Sequence, residues 1–296
     1  MKIYLRLLWL ALLVPLTAPT VLSQQADTIR WTPAELANGS PCLFSVQAPK
    51  ASAVSGQWQG HKLTFFRAQD SDSWYALAGI DVEVVPGSYP LTVEVTNADG
   101  TPHSLDRNVT ISAAPYEEVP LTVPEKFVQP NAAAQKKIAA DKIAKDKAFA
   151  NTAPQPKWSG RFSPPLRIAP QTDSFGTRRV FNGALASVHR GLDYRAKPGT
   201  PVAAVNSGRV VLPRPLYYEG NCVIIDHGLG LMTLYMHLSK FRVTEGARVK
   251  RGQIIALSGG TGRATGPHLH LGLRWQGDYL DPAKLFTLDL PAPATH

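Results

Sequence analysis

Cysteine is nearly missing from this chain: Cys42 and Cys222 are the only two in 296 residues. One bridge is the most they could form, and neither has a ligand-like spacing to another soft ligand. Cys222 heads the apolar run Cys222-Val-Ile-Ile225, which reads as a core strand, so two buried free thiols are expected rather than a disulfide. Long apolar runs are missing as well, apart from Leu7 to Leu16, which is too short to cross a bilayer as a stable helix. Lys2 and Arg6 before that run, with the small residues Val21 and Ser23 after it, read as a secretory signal over residues 1–23, cut before Gln24. No cysteine follows the run to carry a lipoprotein anchor. The mature chain is therefore expected in the periplasm or secreted, with no stable membrane insertion.

Acidic residues are in deficit. Asp and Glu number 22 against 31 Lys and Arg, a formal charge of +9 that falls to +7 once Lys2 and Arg6 leave with the signal. Such a surplus draws a protein to anionic surfaces such as wall polymers, phospholipid headgroups or nucleic acid. Export from the cytoplasm and the lack of an aromatic-plus-basic stripe argue against nucleic acid.

Long amphipathic helices are also scarce, and a mostly β fold is expected. In residues 24–116, Leu91, Val93 and Val95 alternate with Thr92, Glu94 and Thr96, the period of a half-buried strand. The turn Asn97-Ala-Asp99-Gly100 follows, and Val109-Thr-Ile111 reads as the returning strand. Phe44, Val46, Trp58, Phe65, Trp74 and Tyr75 supply bulk for a core, so an immunoglobulin-like β-sandwich is expected. His61 and His103 lie far from any metal pattern and read as surface residues. Residues 117–157 read as a linker broken by Pro120, Pro124 and Pro130, with Asn131 capping a helix from Ala132 to Ala150. That helix is rich in Ala and Lys, which reads as a solvated spacer. Residues 158–296 return to short strands: Val202 to Val205, Gly208 to Leu212, Cys222 to Ile225, Leu231 to Tyr235, Val249, Ile254 to Leu257 and Leu269 to Arg274. A compact, mostly antiparallel domain follows from them, with Asp281 to Leu285 as one last helical turn.

The chemistry is concentrated in three stretches: His189-Arg-Gly-Leu-Asp193, Tyr235-Met-His237-Leu, and Gly266-Pro-His268-Leu-His270. On a strand, positions two apart face the same way, so His268 and His270 point together into one groove. Imidazoles plus one carboxylate form a ligand set for catalytic zinc, in which three protein ligands leave a position open for water, and the remaining histidines are free to handle protons. A metallohydrolase is the leading reading.

These stretches, together with Phe175-Gly-Thr-Arg-Arg179, Gly199-Thr-Pro-Val-Ala-Ala204, Ile225-Asp-His-Gly228, Val249-Lys-Arg-Gly-Gln253 and Thr261-Gly-Arg-Ala-Thr-Gly266, give residues 158–285 a resemblance to the catalytic domain of the LytM/lysostaphin-type zinc peptidases, family M23. The resemblance implies an antiparallel β-sheet scaffold with a groove, and hydrolysis of the peptide cross-links of bacterial peptidoglycan. It implies zinc held by His189, Asp193 and His270, with His237 and His268 beside the open position as catalytic residues whose tasks the sequence leaves undivided. His227 reads as structural, Tyr235 as groove-lining or packing, and Thr265 and Arg179 as loop braces in preference to substrate contacts. The family also contains domains that have lost their ligands and serve as cell-wall-binding or amidase-activating modules. All five positions are present here, which argues against that alternative. The motifs do not cover the N-terminal β domain, which could bind wall, position the enzyme or cover its groove.

Overall fold

Alternating burial along the chain builds the N-terminal part as two facing sheets. Strands Thr28–Thr32, Pro41–Gln47, Ser73–Gly79 and Phe66–Arg67 make one. Leu36–Ala37, Pro102–Ser112, Gly87–Asn97, Ala51–Trp58 and His61–Thr64 make the other. Within Gly87–Asn97, Leu91, Val93 and Val95 are fully buried while Glu94 is exposed, the alternation expected of a strand with one face in the core. The sheets meet at Phe44 and Trp58, whose rings stand edge to face with centroids 5.0 Å apart. The computed structural model describes residues 27–69, 71–121, 130–181 and 184–294. The secretory signal expected over residues 1–23 and the terminal His296 lie outside the described residues.

The C-terminal part is organised by one antiparallel sheet. Its strands lie in the order Gln171–Asp173, Leu192–Arg195, His268–Trp275, Leu231–Phe241, Gly220–Asp226, Gly208–Leu216 and Arg248–Val249. Ile254–Ser258 also pairs with Leu231–Phe241 and carries Pro201–Ala203, and Asp278–Leu280 closes onto His268–Trp275. A short helix, Pro282–Thr287, is capped by the Asp281 side chain. Every apolar run from Val202 onward that reads as a strand falls on one. Leu192–Arg195 escaped that reading, because two polar residues among four hide its alternation.

Each face of this sheet has its own cover. Tyr235, Leu269, Leu271 and Leu273 face a core that runs on without a break into the N-terminal sheets. Cys222, Ile224, Met232 and Leu234 face the other way, onto the helix Ala132–Ala150. That helix has the extent and the Asn131 cap expected of it, but it is not a solvated spacer. Ala148 is buried against the sheet, and the Arg274 guanidinium lies 4.0 Å from the centre of the Phe149 ring. The buried Asp141 carboxylate accepts the Tyr217 N–H at 2.7 Å, and Lys145 pairs with Glu219. Small and polar residues make this docking face, which is why apolar periodicity failed to show it, and the large apolar Ile143 is exposed.

The start of the expected linker is also structured. Glu118–Leu121 pairs in parallel with Arg178–Phe181, which pairs with Ala184–Val188. Pro120 is tolerated because its strand is an edge, where one side needs no donor. His61 departs from its surface reading: its Nε2 lies 2.8 Å from Asp278 Oδ2 and its ring packs on Trp275, joining the two halves of the chain. His103 is half-buried and pairs with Asp27 at 2.8 Å. Cys42 and Cys222 are buried and unpaired, as expected. No described helix is long and apolar enough to cross a membrane.

Candidate metal centre

Strand register does most of the assembly. Asp193 and His270 are directly opposed across the pair Leu192–Arg195 and His268–Trp275, and Met236 is the next residue across. Direct partners share a face with their side chains in contact. His268, two residues from His270, shares that face. His189 ends the approach to Leu192–Arg195 and is pinned by its backbone: its N–H donates to the Thr177 carbonyl and its carbonyl accepts from Gly176, both at 2.8 Å. Between His189 and Asp193, Gly191 lies directly against His270. A Cβ there would collide with the His270 ring and the Leu271 carbonyl oxygen.

His237 arrives by another device. Alternation would place it on the Tyr235 face, inside the core. A register shift between its strand and Gly220–Asp226 coincides with a left-handed backbone, φ 59°, at His237. This bulge swings the ring onto the metal side, 4.7 Å from His268 and 6.2 Å from His270 between ring centres. A left-handed conformation at a residue bearing a Cβ costs about 1 kcal/mol or more and persists only where surroundings impose it. The Glu219 carbonyl, accepting the His237 N–H at 2.8 Å, and the Thr261 carbonyl, 2.8 Å from Nδ1, supply that constraint.

All five residues singled out from sequence therefore meet. His189, Asp193 and His270 are buried, and their donor atoms lie within 4.8 Å of one another. His189 Nε2 is 3.2 Å from Asp193 Oδ1 and 3.0 Å from His270 Nδ1, and His270 Nδ1 is 2.8 Å from the same Oδ1. The Ser174 carbonyl lies 2.8 Å from His189 Nδ1 and can only accept, so Nδ1 carries the proton and Nε2 presents a bare lone pair. One proton at most, on His270 Nδ1, can then lie among three electron-rich atoms. A cation satisfies all three at once. Two ring nitrogens and a carboxylate oxygen are a donor set suited to zinc, so the residues fit the metal.

The electrostatics agree. Burial alone would raise the Asp193 pKa, but the adjoining His189 and His270 rings outweigh it and hold the carboxyl well below its usual range. Burial lowers the pKa of His270 and, with the neighbouring histidines, takes that of His237 down to about 3. Each of these shifts keeps a lone pair available. His268 Nδ1 lies 2.8 Å from the Gly266 carbonyl, which leaves its Nε2 bare too, 3.8 Å from Asp193 Oδ1.

A cavity of about 580 Å³ opens over the centre, lined among others by His189, His237, His270, Arg179, Glu219 and Arg263. Arg179 is more than a loop brace: it pairs with Asp173 at 2.6 Å and reaches Asp193 Oδ2 at 3.5 Å. Tyr235 is a packing residue, fully buried, its hydroxyl accepting the Val205 N–H at 2.9 Å. His227 is fully buried between the Ser207 carbonyl and the Thr233 hydroxyl. Thr265 is exposed in its loop. Sequence reasoning missed the Ser174 and Thr261 carbonyls, which act through the backbone and leave no side-chain signature. It also missed Gly191, for which a glycine inside a ligand motif was the available signal.

The sequence profile of Peptidase family M23 matches residues 187–282, a span that contains all five. The catalytic domain of lysostaphin from Staphylococcus simulans is 33% identical, with 93% of that chain and 40% of this one covered, at a TM-score of 0.37. Residues 187–282 form a peptidase family M23 domain. Among curated relatives, the peptidoglycan DD-endopeptidase ShyA of Vibrio cholerae is 44% identical over 140 residues, 47% of this chain and 30% of that protein. The DD-carboxypeptidase/endopeptidase Mpg of Neisseria meningitidis is 42% identical over 106 residues, 36% of this chain and 24% of that protein. The matched segment thus spans under a third of these relatives' length. A solved M23 peptidase structure from Pseudomonas aeruginosa shares the fold at a TM-score of 0.65 and 24% identity, covering 85% of this chain and 95% of that one.

Proposed function

We propose that this M23 protein is an exported, zinc-dependent endopeptidase that hydrolyses peptide cross-links of bacterial peptidoglycan, working in the periplasm or outside the cell. The observation that carries the reading is the convergence of three buried metal-competent donors with two further histidines, one of which, His237, lines the open cavity while His268 packs beside it. The curated relatives named as peptidoglycan DD-endopeptidases support the substrate and the class of bond. The net positive charge suits an anionic wall.

His189 Nε2, Asp193 Oδ1 and His270 Nδ1 are the atoms that would hold the ion. Bound there, zinc supplies Lewis-acid polarisation of a carbonyl and a water of lowered pKa. The rest falls to the protein. His237 and His268, each tied through Nδ1 to a backbone carbonyl, present bare Nε2 atoms. One takes the proton of the attacking water, and the other, once protonated, donates to the developing oxyanion or the leaving amine. The N-terminal sheets and the docked helix serve as positioning elements for the domain at residues 158–296.

Purified peptidoglycan incubated with the mature protein should lose turbidity and release fragments whose masses show cleaved peptide bonds. A chelator should stop this, and His270→Ala should reduce it to the chelated level. Bound metal with no peptide bond cut would instead favour the wall-binding or amidase-activating module.

A further inference from the structure

Three guanidinium groups line the cavity over the metal centre, and two of them are occupied. Arg179 is paired with Asp173 at 2.6 Å, and Arg190 with Glu83 at 2.8 Å. Arg263 differs. Among the described residues it has no carboxylate partner, and its guanidinium carbon lies 4.6 Å from the centre of the Tyr218 ring. Stacking of this kind holds the planar group by its face and leaves its edge N–H donors free for a bidentate acceptor.

The surroundings hold that arrangement in place. The Arg263 N–H donates to the Tyr218 carbonyl at 2.8 Å, so the residue is fixed by its backbone to the strand turn it stacks on. Gly262 takes a left-handed backbone, φ 75°, with the Tyr218 carbonyl oxygen 2.6 Å from where a Cβ would sit, so the close approach needs glycine. Thr261, one residue further back, gives its carbonyl to His237 Nδ1 and its hydroxyl to the Leu238 carbonyl. One loop therefore sets both a catalytic histidine and a free guanidinium on the same cavity. Glu219, the nearest carboxylate on the Tyr218 side, is already taken by Lys145. Arg263 therefore brings to the cavity a guanidinium with no salt-bridge partner among the described residues, and burial disfavours its charge, which an anion at its free edge would relieve.

We propose that Arg263 receives a free carboxylate of the substrate peptide beside the cleaved bond, which makes it a specificity-determining residue that selects acidic cross-linked peptides over neutral ones. The inference rests on the peptidase reading and sharpens it by naming the charge class of the substrate. A carboxylate held by two charge-assisted hydrogen bonds is fixed in register as well as bound, so that the scissile carbonyl lies over the metal centre.

The test uses two synthetic cross-linked wall peptides, identical except that one carries free carboxylates and the other carboxamides. With the zinc-loaded full chain, Arg263→Gln should lose about ten- to hundredfold in kcat/KM on the acidic peptide, mostly through KM, and nothing on the amidated one. Arg263→Lys should recover part of the loss, because it restores charge without the planar fork. Equal losses on both peptides, or no loss on the acidic one, would overturn the proposal. Cleavage of purified peptidoglycan by the wild type is scored separately, and its absence overturns the peptidase reading instead. Arg263 is then judged by affinity: the wild type must bind the acidic peptide more tightly than the amidated one, and Arg263→Gln must level the two. Equal affinities in the wild type sink the inference on their own.

Discussion

Gly191 shows how tightly single residues constrain this centre. With a Cβ at that position blocked by the His270 ring and the Leu271 carbonyl, Gly191→Ala must push His270 away from Asp193. Zinc affinity should fall about 10- to 100-fold, as for other changes that misorient a ligand, while the protein stays folded. Titration of the apo protein with zinc, beside a thermal melt, checks both halves. His227 makes a different prediction. Its folded pKa is about 4 because burial disfavours the charged ring, against an ordinary value of 6.5. A depressed folded pKa means the unfolded chain binds the proton first, so stability is intact above pH 6.5 and drains away as pH falls towards 4. The loss attributable to His227 is about 3 kcal/mol at most. Denaturant midpoints between pH 7 and pH 4 should fall more steeply for the wild type than for His227→Asn; equal slopes would refute this. Both residues stand in legible motifs, and the five site residues were readable because metal chemistry admits so few side-chain types. The Ser174 and Thr261 carbonyls, which fix the histidine tautomers, were not readable, because any residue type supplies a carbonyl.

At the scale of elements, apolar patterning found the strands wherever burial is one-sided or continuous. Gly220–Asp226 and Leu231–Phe241 are such cases. It failed where polar groups do the docking. The helix Ala132–Ala150 looked free because its sheet-facing residues are Asp141, Ala144, Lys145 and Ala148, yet Asp141 and Lys145 hold the turn at Tyr217 to Glu219, whose Tyr218 and Glu219 line the cavity. Asp141→Ala removes the buried acceptor of the Tyr217 N–H and should cost about 1–3 kcal/mol. If the helix braces the cavity, KM for wall peptides should rise with it. Unchanged stability and KM would mean the helix is a bystander. His237 could not be placed by patterning at all, since it reaches the metal side only by breaking the alternation of its own strand.

At the scale of the molecule, buried residues of the N-terminal sheets and of the C-terminal sheet belong to one apolar cluster. His61 with Asp278, Glu83 with Arg190, and Gly79 under Leu280 tie the two halves together. A chain built this way should melt in one cooperative calorimetric transition, and two separated peaks would show the halves to be independent. Sequence composition marked off a β-rich N-terminal region but held no sign that it packs onto the peptidase sheet, because the contacts join residues far apart in the chain. The zinc content of correctly folded protein across single alanine substitutions of the five site residues is the most direct measurement of the centre. One zinc ion per chain is expected in the wild type, in His237→Ala and in His268→Ala, and none retained in His189→Ala, Asp193→Ala or His270→Ala. Wild-type protein that binds no zinc, or zinc that survives loss of any of those three, would contradict a metal centre built on these residues.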